Sequence, residues 1–167
     1  LREYFGLQHF ATIHELRTRL HALDADLIFL QEVLGRHDRH AKRFAQWPAE
    51  RQDQYLARSP TLQDTFQSAY GRNATYLHGD HGNALLSKFP ISRFNNLDVS
   101  VQGNEQRGLL HCQLEVPGHD EVHAVCVHLG LREAHRQRQV KLMLDLLASL
   151  PPNAPVIIAG DFNDWRL

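Results

Sequence analysis

The last strand-like stretch of this chain, residues 156–163, joins a buried strand to two polar side chains. Four apolar residues lead into Gly160, and Asp161 and Asn163 follow two positions apart. Because residues two apart on a strand share a side, we expect Asp161 and Asn163 to project together and Phe162 to point into the core. A carboxylate can bind a metal or accept a proton, and an amide can donate hydrogen bonds to an oxyanion. The pattern favours phosphate chemistry, and a plain Gly-Asp turn is the alternative.

Composition narrows the class of protein. The 167 residues, 43% hydrophobic and 22% charged, suffice for one soluble domain with its own core. The formal net charge of -1 gives no overall basic field that would attract nucleic acid or anionic membrane. No apolar run approaches the ~20 residues that span a bilayer. The chain starts at Leu1 rather than Met, so we expect native residues before it; the compartment stays open, with the cytoplasm favoured.

Periodicity predicts a first helix that leads into a buried strand, which is typical of an α/β layered fold. Thr12 and Glu15 have the spacing of a capping box before a first helix. A short apolar run, residues 27–30, predicts a strand buried on both faces, and residues 36–64 predict short helices and loops. Further strands are expected at 70–77, 83–87, 110–116, 122–129 and 156–159, with a long helix over 132–150. We see no linker or repeat, which favours a single domain over residues 1–167.

Three more polar residues follow or interrupt these strands. Glu32 comes directly after the first strand, where it is either a surface residue or a ligand of a divalent metal. Asn83 follows a glycine, and the Gly-Asn pair is either part of an ordinary hairpin turn or places Asn83 in a functional site. His128 ends a strand of small apolar residues, either as a hydrogen-bonded core histidine or as an imidazole that contacts phosphate.

Zinc is a weaker prospect than an oxygen-bound metal. Cys112 and Cys126 lie on neighbouring predicted strands near several histidines. Cys112 falls on the apolar face and His111 on the other, so the two cannot converge on one ion within a regular strand. We therefore interpret both cysteines as buried thiols.

Four short motifs occur in a specific order along the chain. They are Leu-Gln-Glu-Val at 30–33, Gly-Asn-Ala-Leu-Leu-Ser at 82–87, Val-His-Leu at 127–129 and Gly-Asp-Phe-Asn at 160–163. In this order they resemble the endonuclease/exonuclease/phosphatase family, which includes DNase I, inositol-polyphosphate 5-phosphatases and neutral sphingomyelinases. The resemblance implies an α/β (α+β) fold: a four-layered sandwich of two mixed β-sheets flanked by helices.

The resemblance also implies roles for individual residues. Glu32 resembles the Mg²⁺ ligand of the family, with Mn²⁺ as an alternative ion, and Asp161 resembles the group that orients or deprotonates the attacking water beside the metal. Asn163 resembles the donor to the scissile phosphate, His128 the histidine near that phosphate, and Asn83 the asparagine of the middle motif. Arg107 resembles a recurrent arginine to which we assign no chemistry.

Two family features are not found in this sequence. An Asn-bearing first strand and a terminal Asp-His pair are both missing, so we expect an incomplete metal site and no turnover from this chain alone. The predicted function of the native protein is Mg²⁺-dependent hydrolysis of a phosphodiester, with a nuclease narrowly favoured, or of a phosphomonoester. DNA, a phospholipid and an inositol phosphate are the candidate substrates, and no obligate protein partner is evident. A non-catalytic binding or scaffold member of the same fold is the alternative.

Overall fold

The computed structural model describes residues 12–44, 47–61, 65–101 and 105–165. The predicted helices and strands are found, but a strand over residues 91–98 was not predicted, and five strands follow one another between the third and fourth helices. The helices are α1 (Ile13–Ala22), α2 (Asp38–Arg43), α3 (Gln52–Ala57) and α4 (Glu133–Ala148). The strands are β1 (Leu27–His37), β2 (Gln67–Tyr76), β3 (Gly79–Ser87), β4 (Ile91–Asp98), β5 (Gly108–Leu114), β6 (Val122–His128) and β7 (Val156–Asp161).

The strands form two sheets. Sheet A has the order β1-β3-β2 and is antiparallel throughout. Sheet B has the order β4-β5-β6-β7, and its last pair is parallel because α4 crosses over between β6 and β7. β5 and β6, which follow one another along the chain, pair as an antiparallel hairpin.

Three apolar clusters hold the layers together. The cluster between the two sheets includes Ala69 and Leu85 from sheet A and Leu110 and Cys126 from sheet B. A second cluster packs α1 and α3 on the outer face of sheet A, and a third packs α4 on the outer face of sheet B. The resulting order of layers, helix, sheet, sheet, helix, confirms the predicted sandwich.

Strand β1 shows why its sequence is a continuous apolar run. Ile28 and Leu30 belong to the cluster beneath α1 and α3, whereas Leu27 and Phe29 belong to the cluster between the sheets. Successive side chains thus enter two different cores, as predicted for a strand buried on both faces.

Several local expectations are wrong in detail. Thr12 has helical dihedral angles and its side chain makes no capping hydrogen bond, so the capping box does not form. The chain turns between β2 and β3 at residues 77–78 rather than over 78–82. Strand β1 runs on to His37 and β7 to Asp161. The end of the 36–64 segment lies outside the described residues. In the parts of the chain that are described, no helix is long and apolar enough to cross a membrane.

Candidate active site

A bulge in β1 brings Glu32 beside Asn83. The register of β1 against β3 leaves Gln31 and Glu32 together opposite the single residue Asn83, which is the two-against-one pairing of a β-bulge. Glu32 has a positive φ of 55° and an exposed position. Gln31 instead turns toward sheet B, where its amide donates a hydrogen bond to Cys126 Sγ over 3.4 Å. The bulge thus directs the carboxylate of Glu32 out of the core at the rim of the sandwich.

Asn83 connects the two sheets. It lies inside β3 and is fully buried, so the turn interpretation is wrong. Its Nδ2 donates hydrogen bonds to Gly108 O over 2.9 Å and to Cys126 O over 3.2 Å, both on sheet B. Its Oδ1 is buried and accepts no hydrogen bond from the described residues. One amide therefore fixes the spacing of the sheets next to Glu32 and keeps one acceptor oxygen unused.

His128 and Asp161 lie side by side at the ends of two parallel strands. They are register partners in the β6-β7 ladder, and Leu129 N donates to Asp161 O over 2.8 Å. Gly160 precedes Asp161 with a φ of +143°, and a Cβ at Gly160 would lie 2.0 Å from Val127 O. Glycine is required there because the two backbones approach too closely for a side chain.

Asn163 reaches the site by a turn, since β7 ends at Asp161. Its backbone N donates to Asp161 Oδ1 over 2.8 Å, and its own φ is 50°. Its Nδ2 donates to Leu129 O over 2.7 Å, and the residue is 5% exposed. Phe162 is 38% exposed, so the expectation that it points into the core is wrong. Strand alternation no longer applies once the chain leaves the extended conformation.

Arg107 acquires a defined position at this site. Its Nε donates to Leu129 O over 3.2 Å, the same carbonyl that Asn163 contacts. Glu105 Oε2 lies 3.6 Å from an Arg107 guanidinium nitrogen, and the Arg107 side chain is 12% exposed. A largely buried guanidinium therefore stands beside the ends of β5 and β6, where an anionic group could be held.

Burial and the neighbouring charged groups shift the pKa of His128. Burial is the largest cause and lowers the pKa; Arg107 lowers it further, whereas Asp161 and Glu32 raise it. The balance is downward, so His128 is largely neutral at pH 7. Two carboxylates and a guanidinium from three separate parts of the chain thus act on one imidazole.

His81 is a member of the site that our sequence reasoning did not identify. It lies two residues before Asn83 in β3 and therefore on the same face of sheet A. Burial lowers its pKa most, Glu32 raises it and Arg107 lowers it. The available signal was this spacing of two from Asn83, which predicts a shared face once β3 is known to begin at Gly79.

The donor atoms at the site suit a hard divalent cation. Among the described residues, no three His, Cys, Asp or Glu side chains group as a ready-made metal site. Glu32 and Asp161 supply carboxylate oxygens, and Asn83 Oδ1 is an unused acceptor. Mg²⁺ is commonly held by one or two carboxylates completed by water and substrate phosphate, so this oxygen set fits it.

Zinc chemistry at the cysteines is not supported. Cys112 and Cys126 are buried free thiols, as predicted. Burial raises the pKa of Cys112 to about 12 and that of Cys126 to about 11. A thiolate is the zinc-binding form, and both thiols are held in the protonated form.

The sequence and the fold can be compared with known proteins. A model of the Endonuclease/Exonuclease/phosphatase family matches residues 8–166. The chain belongs to this family. Curated relatives include the Uncharacterized protein YbhP of Escherichia coli K12 and that of Shigella flexneri, each 47% identical over 153 residues, covering 91% of this chain and 59% of the relative. The chain thus spans about three fifths of the length of these relatives.

Solved structures share the fold at low sequence identity. An endonuclease/exonuclease/phosphatase from Beutenbergia cavernae aligns with a TM-score of 0.70 at 20% identity, covering 92% of this chain and 42% of that one. Truncated TDP2 of Caenorhabditis elegans aligns with a TM-score of 0.64 at 21% identity, and the alignment covers 96% of this chain and 58% of TDP2. ANGEL2, a 2′,3′-cyclic phosphatase, aligns with a TM-score of 0.64 at 18% identity, and the alignment covers 90% of this chain and 43% of ANGEL2. The fold predicted from the motifs is therefore the observed one.

Proposed function

We propose that the native protein is a metal-dependent phosphoester hydrolase in which a water molecule attacks the phosphorus. The observation that carries this proposal is geometric. His128 and Asp161 are register partners at the ends of β6 and β7, and the side chains of Arg107 and Asn163 both donate to the adjacent carbonyl of Leu129. Two carboxylates, one guanidinium and one neutral imidazole at a sheet rim can bind a phosphate, hold a cation and move a proton. Membership of a family named for nucleases and phosphatases supports the same class of reaction.

Mg²⁺, or Mn²⁺ in its place, would be held by Glu32 with Asp161 nearby, and when bound it supplies positive charge that offsets the charge of the phosphate. Asp161 would orient the attacking water and accept its proton. Its Oδ1 is occupied by the N–H of Asn163, whereas its Oδ2 accepts no hydrogen bond among the described residues, which leaves that oxygen for the water.

The remaining groups would stabilise the phosphate. Neutral His128 can donate a hydrogen bond from one ring nitrogen to a phosphate oxygen. Asn163 uses one N–H of its amide on Leu129 O, and the second N–H would be its donor to the scissile phosphate. Arg107, held against the same carbonyl, would bring positive charge to the developing anion. Asn83 would maintain the spacing of the two sheets below them.

The substrate is proposed at the level of a phosphodiester, with a nuclease narrowly favoured over a lipid or inositol-phosphate hydrolase. The native, full-length protein should hydrolyse bis(p-nitrophenyl) phosphate in the presence of Mg²⁺ or Mn²⁺ and lose this activity in EDTA. Asp161→Asn should lower the rate by about 10²- to 10⁴-fold, as expected for removal of a general base. Glu115→Gln, an exposed carboxylate elsewhere, is the matched control and should leave the rate unchanged.

Metal binding gives a readout that does not depend on turnover. Calorimetric titration of Mn²⁺ should show one site in the wild-type protein and markedly weaker binding in Glu32→Gln. Activity that survives both EDTA and Asp161→Asn would refute the mechanism. A full-length protein that binds phosphodiesters but hydrolyses none of them, with or without metal, would instead identify the non-catalytic binding member of the fold.

A further inference from the structure

Sheet A extends past the site as a three-stranded arm. Beyond the bulge at Glu32, β1 continues to His37, where it pairs with Gly79 at the start of β3. From Asn83 to Gly79 the partner strand β3 covers four residues, so at about 3.3 Å per residue the arm rises roughly 13 Å above the bulge. His81 and Tyr76 lie on the same side of this arm, with ring centroids 5.9 Å apart. Since β3 alternates regularly, this is also the side that carries Asn83.

Aromatic rings form a continuous series along the arm and into α2. The Tyr76 ring lies 6.2 Å from that of His37, which stacks on His40 with a centroid distance of 3.5 Å. His37 Nδ1 also accepts a hydrogen bond from His40 N, which fixes the stacked pair. Beyond His40, Trp47 follows at 4.7 Å. We define the aromatic strip as His81, Tyr76, His37, His40, Phe44 and Trp47.

Cationic side chains are interleaved with these rings. Residues 36–43 carry four Arg or Lys and a single carboxylate, in a chain whose net charge is -1. The carboxylate, Asp38, is held by Arg36. Arg39 and Lys42 are exposed, and the Arg43 guanidinium lies 5.6 Å from the ring centroid of Phe44. Positive charge is thus concentrated where the rings are.

We propose that the aromatic strip binds an unpaired nucleic-acid strand and leads it toward the candidate active site. Bases stack on aromatic rings whatever their sequence, and Lys or Arg beside the rings attract the phosphates between them. The strip starts at His81, which lies two residues before Asn83 on the same face of β3, so a bound strand would continue into the site. This inference rests on the proposed function and assigns single-stranded nucleic acid as its substrate class.

A membrane surface fits this region less well. Helix α2 has only six residues, Asp-Arg-His-Ala-Lys-Arg, and lacks the face of Leu, Phe or Trp that inserts into a bilayer. Tyr76, 40% exposed at the end of the arm, is the ring best placed to receive a base. The rings of the strip come from separated segments that only the folded arm brings together.

Binding can be measured without turnover. A fluorescein-labelled oligothymidylate is titrated with full-length protein in EDTA, and anisotropy gives Kd at two salt concentrations. Tyr76→Ala should weaken binding by about 5- to 150-fold, the range for one base stacked on one ring. Lys42→Gln should reduce the slope of log Kd against log salt by about 0.7, as for one lost phosphate contact. Phe94→Ala, which removes a 52% exposed ring from β4, is the matched control and should bind as wild type does.

The outcomes separate the two proposals. Equal affinity of wild type, Tyr76→Ala and Lys42→Gln for the oligonucleotide would refute the strip, even if the wild-type protein hydrolyses a small phosphodiester. Loss of binding to phosphatidylserine vesicles in these variants, with oligonucleotide binding unchanged, would assign the surface to membrane instead. Strip-dependent oligonucleotide binding by a protein that hydrolyses nothing would support the strip and refute the proposed catalysis.

Discussion

Replacing Asn83 with alanine tests the connection between the two sheets. Two hydrogen bonds, to Gly108 O and Cys126 O, are lost. Each is worth about 0.5–1.5 kcal/mol net, and the site is fully buried, so a small cavity adds roughly 1 kcal/mol. We expect Asn83→Ala to lower the free energy of unfolding by about 2–4 kcal/mol, which corresponds to a fall in Tm of about 4–15 °C for a chain of this size. Urea denaturation followed by circular dichroism measures the change.

Asn96 offers a matched control for this experiment. Its Nδ2 also donates two hydrogen bonds, to Arg72 O over 3.1 Å and to Asn73 Oδ1 over 3.0 Å. Asn96 is only half-buried, where water can replace the lost partner, so Asn96→Ala should cost about 1 kcal/mol or less. The reasoning is refuted if Asn83→Ala costs no more than Asn96→Ala.

A second reading of the same variant separates structure from catalysis. At 15 °C, well below the expected Tm, Asn83→Ala should still be folded. If Asn83 acts only by holding the sheets, the rate of phosphodiester hydrolysis will fall modestly. If its unused Oδ1 contributes to the site, the rate will fall by much more than the folded fraction does.

Two other predictions follow from backbone and charge. Folding lowers the pKa of three histidines below the value near 6.5 that they have in the unfolded chain. As the pH drops below 6.5, the unfolded chain therefore binds more protons than the folded protein, and the free energy of unfolding should fall. The three are His81, His111 and His128. Urea midpoints at pH 7.5, 6.5 and 5.5 measure this, and a midpoint that rises on acidification would contradict it. Gly160→Ala should lower the free energy of unfolding by at least about 3 kcal/mol, because backbone strain and a clash with Val127 O combine. Gly118→Ala, at φ +84° in open space, is the control and should cost about 1–2 kcal/mol. Equal Tm values for the two variants would show that the clash is relieved.

Most of the strands and helices were readable from the sequence because they depend on local patterns, whereas β4 was not predicted. Apolar runs gave β1, β6 and β7, strict alternation gave β5, and a long amphipathic stretch gave α4. The placement of His128 and Asp161 at strand ends followed from where those runs stop. Each of these features is set by neighbours along the chain, so periodicity alone identifies it.

The tertiary structure decided which of these residues meet and in what orientation. The bulge that sets Glu32 opposite Asn83 depends on the register with β3, and the burial of Asn83 depends on two carbonyls of sheet B. Phe162 turns outward because the chain leaves β7 one residue earlier than alternation assumes. The aromatic strip is built from segments that sequence leaves far apart. A period of two assigns a side chain to a face of its strand, but its partner is chosen by strand register and sheet packing, which are contacts between distant parts of the chain.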